Sequence, residues 1–495
     1  MAGASLPPNK ERPTAVTKGG VPRVIPPMLR FLHDTYVMVF RRYPVLGRMA
    51  LVAMLGELVF ASINNYALPF YVLEDLKQPG ATLGLLAATF LVVEMVLKMP
   101  FGHLSDRYGR RRFASLGLSA LVVTPVVICA LPTELVLGMP VLILAVLMPL
   151  RALDGVGAAA LWPPLFAGVP DNVPSERRGV AMSVLNTSYL AGLALGPTLG
   201  GLAMRLAGGL GAGDSMVSKA PFALAAMAAL SAALVARGLP EETKRRGNGQ
   251  TARHPQMDPS TSLRASRAGA DGRGSAAFGG TETAKRQGLG RTGPMIGTVM
   301  MISFCEMFAV GTLAPYMAPY IRQVTGIARS DVGLLLLLLF IPAGVLGIPV
   351  GHLVDRWPRH RVVQAAFWTA AVGMALVPLC GSLVTLLSVG VVVTMGFLFA
   401  LPAWLALVAD LAPEGRSGRV IGTMATAQGA GAFVGPLLGG HLWDINIRYP
   451  WYAAAAMLSL AGIAAVWCLG RCGRGEVAGD GEAGERGSSP GDTGG

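Results

Sequence analysis

Twelve apolar runs follow one another along this chain, at roughly 49–71, 81–101, 113–131, 141–168, 180–203, 219–238, 294–320, 331–350, 362–381, 384–409, 418–441 and 450–469. Each is about as long as the 20 or so apolar residues that a helix needs to cross hydrocarbon. Backbone polar groups find no water there, so a spanning segment must be a helix or part of a closed barrel. Runs of this length are too long for barrel strands. Only 14% of the 495 residues are charged, against about 25% in soluble domains. The prediction is an all-α membrane protein with twelve transmembrane helices. Turn chemistry marks its seams, as in Lys77-Gln78-Pro79-Gly80 and Pro170-Asp171-Asn172.

The remaining stretches set the domain plan. Residues 1–48 read as a cytoplasmic N-terminal segment, 49–238 as a first six-helix half and 294–470 as a second. Residues 239–293, rich in Gly, Ser, Thr, Arg and Lys, read as a disordered cytoplasmic linker, and 471–495 as a disordered cytoplasmic tail. Pro26 to Tyr43 mixes apolar residues with arginines, the pattern of a helix lying on the membrane surface. Residues 1–27 have no apolar core, so no secretory signal is expected. Of the 41 Lys and Arg, six fall in the odd-numbered loops, two inside spans, and the other 33 in the even-numbered loops and the termini. Positive charge stays on the cytoplasmic side. Both termini are therefore expected in the cytoplasm, with the protein multi-pass in the cell membrane. The same distribution accounts for the net charge of +13 without a nucleic-acid partner. The five cysteines lie in or beside apolar runs without paired spacing, as small apolar side chains do.

The two halves are copies. GHLSDRYGRRR (Gly102–Arg112) returns as GHLVDRWPRHR (Gly351–Arg361), with seven of eleven positions identical and an offset of 249. The same offset takes Glu57 to Glu306 and Tyr71 to Tyr320. An offset of 239 takes Gly192, Gly196, Pro197, Gly200 and Gly201 of span 5 to Gly431, Gly435, Pro436, Gly439 and Gly440 of span 11. Parallel six-helix repeats suit a machine that rocks one half against the other around a central site.

These phrases resemble the major facilitator superfamily. Gly102–Arg112 is similar to that family's signature loop between helices 2 and 3, and Arg151–Ala159 (RALDGVGAA) to its helix-4 motif, with Asp154 where Gln is usual. The span-5 pattern is similar to the glycine–proline motif of the drug:proton antiporter branch, with Ser183 for its first Gly, and span 11 carries that pattern complete from Gly422. The resemblance covers about residues 45–470. It implies the major facilitator fold of two pseudo-symmetric six-helix halves, and transport by alternating access rather than catalysis. It also implies that Gly102, Asp106, Arg107 and Arg110, with Gly351, Asp355 and Arg356, form a conformational latch. Asp106 would face the N-terminus of helix 11, and Asp355 that of helix 5, while the cytoplasmic side is closed. The glycine–proline seam would limit leakage in an exporter, although close glycine packing is also ordinary in membrane helices.

Six charged residues fall inside spans: Glu57, Glu94, Lys98, Arg151, Asp154 and Glu306. Each costs about 2.5–3.5 kcal/mol at the bilayer centre, which marks a cavity or pathway. Glu94 and Lys98 have ion-pair spacing. Arg151 needs a partner, either Asp154 or Glu57. Glu57, Asn64 and Asn65 form a polar stripe on helix 1, which lines the central cavity in the resembled fold. Burial away from cations favours a protonated carboxyl, and a nearby cation the ionised one. Glu57, Asp154 and Arg151 are therefore the expected proton-coupling circuit, with Glu306 a second proton site. Tyr66, Trp162, Phe308, Met317 and Trp404, with Asn64 and Asn65, are the substrate-cavity candidates.

The expectation is proton-coupled efflux of small lipophilic, in part cationic, molecules or drugs by a monomer in the bilayer. The proton gradient supplies the energy, without cofactor or metal. The alternative is a proton-coupled importer of a metabolite or sugar. The six histidines are scattered, and no Ser/His/Asp spacing or phosphate-cradling loop points to an enzyme.

Overall fold

The computed structural model describes residues 43–133, 139–174, 177–240, 280–341, 357–411 and 417–466, with side chains left aside at 280–295, 359–360 and parts of 398–421. The expected surface helix before Tyr43, the linker over 241–279, and the tail lie outside these residues, as do Gly351, Asp355 and Arg356.

From Val45 onward the chain forms one compact unit. Its first six helices are α1 (Pro44–Asp75), α2 (Gly80–Tyr108), α3 (Arg110–Ala130), α4 (Pro140–Asn172), α5 (Arg178–Gly209) and α6 (Asp214–Arg237). The next are α7 (Ile296–Leu313), α8 (Arg329–Ile341), α9 (Arg361–Leu379), α10 (Leu383–Leu411), α11 (Ser417–Ile445) and α12 (Tyr449–Val466). Each of the twelve expected runs thus contains helix. Nine of the described helices are long and apolar enough to cross a membrane. A short continuation of α7, Met317–Thr325, makes a bend of 113° with α8. Backward, the α7 helix extends to Gly280, so the last part of the expected linker is helical. Once a span has nucleated a helix, extending it through Glu282, Ala284, Lys285 and Gln287 costs little.

The signature phrase turns out to be a corner. α2 runs to Tyr108, Gly109 takes φ of +106°, and α3 starts at Arg110. Side chains avoid that conformation, so glycine is needed there. α1 is irregular where it matters most. Its α-helical turns give way to π-helix at Ile63–Ala67 and again at Tyr71–Asp75, a geometry that places an extra residue in the turn.

Glycine spacing decides how the helices pack. Gly192, Gly196 and Gly200 stand one turn apart on α5 and lie against α1. A methyl group on Gly196 would come within 2.7 Å of Leu58 O, and one on Gly200 within 2.9 Å of the Tyr66 ring. The second half repeats this. A methyl on Gly435 would come within 2.6 Å of Phe308 O and one on Gly439 within 2.7 Å of Thr312 O, both on α7. Contact between backbones gains dispersion energy that lipid cannot supply.

Pro197 and Pro436 face the other way, across the boundary between halves. A methyl added at Gly84 of α2 would overlap the Pro436 carbonyl, and one at Gly333 of α8 would overlap that of Pro197. Each motif is therefore two-faced: its i, i+4 glycines bind the helix of its own half, and its proline carbonyl meets a glycine of the opposite half. Gly440 and Gly201 lie on this second face, against Gly80 and Ser330.

Candidate functional site

Four of the six charges expected inside the spans are buried, while Glu94 is half-buried and Lys98 exposed. Glu57 is 6% exposed, Arg151 2%, Asp154 1% and Glu306 1%. They divide into two groups rather than one circuit.

Arg151 is the centre of the first. Its Nη1 donates to Asp154 Oδ2 at 2.6 Å, one turn along α4. Its Nη2 donates to Asn64 Oδ1 of α1 at 2.5 Å. The guanidinium also lies 4.7 Å from the centre of the Phe90 ring on α2. Arg151 thus ties three helices together through an ion pair, an amide and an aromatic face. Arg151 Nε and Asp154 Oδ1 have no hydrogen-bond partner, so the cluster holds spare donor and acceptor capacity.

Glu57 belongs to the second group. Its carboxyl lies beside the Tyr189 side chain of α5, with Glu94 of α2 nearby. The helices touch at this point, since a methyl on Gly192 would sit 2.9 Å from Glu57 Cβ. Glu57 and Asn64 therefore do not form a single stripe. Seven residues apart in a regular helix they would share a face, but the π-helical turns beginning at Ile63 change the angular step. Asn64 serves α4 and Glu57 serves α5. Glu94 pairs with Lys98 at 3.1 Å, as its spacing predicted.

The second half repeats the Glu57 arrangement. Glu306 lies beside Gln428 of α11, which occupies the position 239 residues after Tyr189, three residues before the first glycine of the packing face. Its Oε2 has no partner. Neither Tyr189 nor Gln428 was singled out by the sequence. Their constant distance from Gly192 and Gly431 is the signal that could have found them.

The cavity candidates scatter. Trp162 stacks in a cluster with Phe60, Phe166 and Tyr189, 5.2 Å from the last ring. Phe308 is buried between Phe304 and the glycine face of α11. Trp404 lies against Phe367 at 6.5 Å within the second half. Met317 opens the short helix, and Asn65 is half-buried beside Asn64. Tyr66 is wholly buried and its hydroxyl donates to Arg329 O at 2.7 Å in the other half. It joins two helices and is not a free wall.

At the signature corner Asp106 is exposed and pairs with Arg110 at 3.2 Å. Arg110 in turn bonds Asp171 and the carbonyl of Ala167 at the end of α4. Arg107 lies over Tyr108, 5.5 Å from the ring centre, and Gly102 approaches only Pro163 of its own half. Among the described residues, Asp106 makes no contact with α11, and the side chains at the start of α11 lie outside them. Among the described residues, every side-chain hydrogen bond and ion pair between the halves lies toward the end opposite this corner, from Thr198–Gly333 outward. Among the described residues, the halves are latched at the end opposite the signature corner.

A family model described as Major Facilitator Superfamily matches residues 49–280 and 299–489. The chain is 25% identical over 391 residues to Multidrug resistance protein 2 of Bacillus subtilis, covering 78% of this chain and 86% of that protein. It is 20% identical over 404 residues to the Quinolone resistance protein NorA of Staphylococcus aureus, covering 81% and 90%. Among solved structures, a D-xylose-proton symporter superposes with a TM-score of 0.62 at 16% identity, over 84% of this chain and 96% of that one. A bacterial homolog of the human lysosomal transporter Spinster, in an inward-facing and occupied conformation, gives 0.63 at 15%, over 87% and 97%. Similarity at these identities establishes the fold.

Proposed function

The chain belongs to the major facilitator superfamily, and from that premise we propose that it is a proton-coupled exporter of small lipophilic, in part cationic, molecules. It is a multi-pass membrane transporter. The efflux reading draws on the relatives named for multidrug and quinolone resistance and on the glycine–proline motif in both halves. The observation that carries it is the buried set of acids, Glu57, Asp154 and Glu306, against Arg151 as the one buried cation among the described residues.

Each acid meets a different helix, and this gives the coupling a physical form. Asp154 accepts the Nη1 bond of Arg151. If it takes a proton, that bond weakens and Arg151 keeps only Asn64 and the Phe90 face. The guanidinium is then no longer anchored to its own helix by an ion pair, so its hold on α1 and α2 can be remade at another angle. Glu57 and Glu306 sit at the α1–α5 and α7–α11 contacts, the packing faces that stay together while the halves rock. A proton at either one changes the cost of burying a carboxylate there without separating a half. Asp154 with Arg151 is thus the switching pair, and Glu57 and Glu306 are the sites facing proton or cationic substrate. With both termini cytoplasmic, the signature end faces the cytoplasm, where an exporter must admit its substrate, and the end latched between the halves faces outward. The protein works as a monomer.

The test is transport in proteoliposomes under an imposed pH gradient, with lipophilic cations and neutral lipophilic compounds as probes. Flux of the cations that collapses when an ionophore dissipates the gradient is expected. Gradient-driven movement of a sugar, with none of the lipophilic probes, would overturn the reading.

A further inference from the structure

We propose that the end opposite the signature corner carries a two-fold symmetric tyrosine lock, closed in this structure, which must open whenever access switches. The inference rests on the rocking of the halves, and not on what is carried or on protons.

The lock repeats in both halves, with donor and acceptor exchanged between them. Tyr66, near the end of α1, donates to the carbonyl of Arg329, the first residue of α8. Tyr316, just after α7, donates at 2.9 Å to the carbonyl of Gly80, the first residue of α2. Both hydroxyls are buried. Each lies over the last glycine of the packing motif of its own half: a methyl on Gly201 would stand 3.2 Å from Tyr66 Oη, and one on Gly440 2.8 Å from Tyr316 Oη. This gives that final glycine a purpose beyond helix packing. It leaves room for the hydroxyl that crosses the boundary.

A second, charged layer surrounds the tyrosines, and here the copies differ. Asp444, at the end of α11, accepts hydrogen bonds from Gly80 N at 2.6 Å and Ala81 N at 2.9 Å. It caps a helix of the other half, where the helix dipole favours a carboxylate. The position 239 residues earlier is Arg205, which pairs instead with Asp331 in the first turn of α8. In both places a carboxylate sits at the start of the second helix of a half and is held from across the boundary. Arg329 adds bonds to Glu74 at 2.5 Å and Asp75 at 2.7 Å. None of these contacts can survive separation of this end, because every donor and acceptor pair is divided between the halves.

Spin-label distances in a cysteine-depleted background test the lock, with one pair at Ala212 and Asn446 and another at Arg112 and Arg361. The parent protein should show a short first distance. Tyr66→Phe with Tyr316→Phe removes only two oxygens and should leave the fold intact. Combined with Asp444→Ala, it should raise the ratio of open to closed at this end roughly tenfold or more, since bonds to charged and buried groups are lost, and shorten the Arg112–Arg361 distance. Each tyrosine change alone should give a smaller shift in the same direction. An unchanged Ala212–Asn446 distribution in the triple variant overturns the lock, even if pH-driven flux persists. A shifted distribution in a protein that moves no lipophilic probe keeps the lock and removes the exporter reading.

Discussion

Removing the charge of Asp154 while keeping its shape should cost far more than removing the whole Arg151–Asp154 pair. Both side chains are 2% exposed and their bond is 2.6 Å. Breaking a buried ion pair on one side costs about 3–5 kcal/mol, because the survivor is an uncompensated charge, whereas replacing both members with apolar residues is often neutral. For Asp154→Asn the low end applies, about 3 kcal/mol, since Asn64 and the Phe90 ring still hold the guanidinium. At about 2–4 °C per kcal/mol for a unit the size of one half, the melting midpoint should fall by roughly 6–12 °C. Arg151→Met with Asp154→Leu should recover most of that loss and still abolish gradient-driven transport. Thermal unfolding in detergent, followed by tryptophan fluorescence, measures the four corners of this cycle. If the double variant loses as much as the two single variants added together, the pair is not an electrostatic unit and the switching argument fails.

Glu57→Gln should abolish pH-gradient-driven flux while leaving substrate exchange intact, as exchange need not release a proton; parallel efflux and proton-uptake traces check this. Gly84→Ala should shift the closed end toward opening by about 1–3 kcal/mol, or 5–150-fold, since its methyl overlaps Pro436 O. Gly179→Ala, with nothing within 4 Å, should leave the spin-label distances unchanged. A cysteine at Gln78 should react with an impermeant reagent from outside the cell, and reaction only from the cytoplasm would reverse the orientation.

The all-helical membrane class, the duplication and the identity of the buried charges were legible in the chain itself, because each is a local or periodic property. Hydrocarbon sets the length of a span, the repeat offset is arithmetic, and a charge within an apolar run is conspicuous wherever the helix goes. The Arg151–Asp154 pair could be read for the same reason, as three residues on one helix are neighbours by geometry. What Glu57 touches could not. The π-helical turns of α1 carry Asn64 toward α4 and leave Glu57 with Tyr189, and nothing in the letters INNYA announces a change of helical step. Tyr66 illustrates the same divide. As an aromatic on helix 1 it read as a wall for substrate, and an offset of 250 would have matched it to Tyr316. The span-1 matches at 249 hid that relation, which depends on Tyr66 lying within its helix and Tyr316 just after its own. The inter-half contacts of Asp444, Arg205 and Arg329 could not be read from the sequence, because their partners lie on helices that meet only when the halves close. Helices are specified by what each run must do in hydrocarbon; which side chains face one another across the boundary is decided by the register and crossing of helices that are distant in the chain.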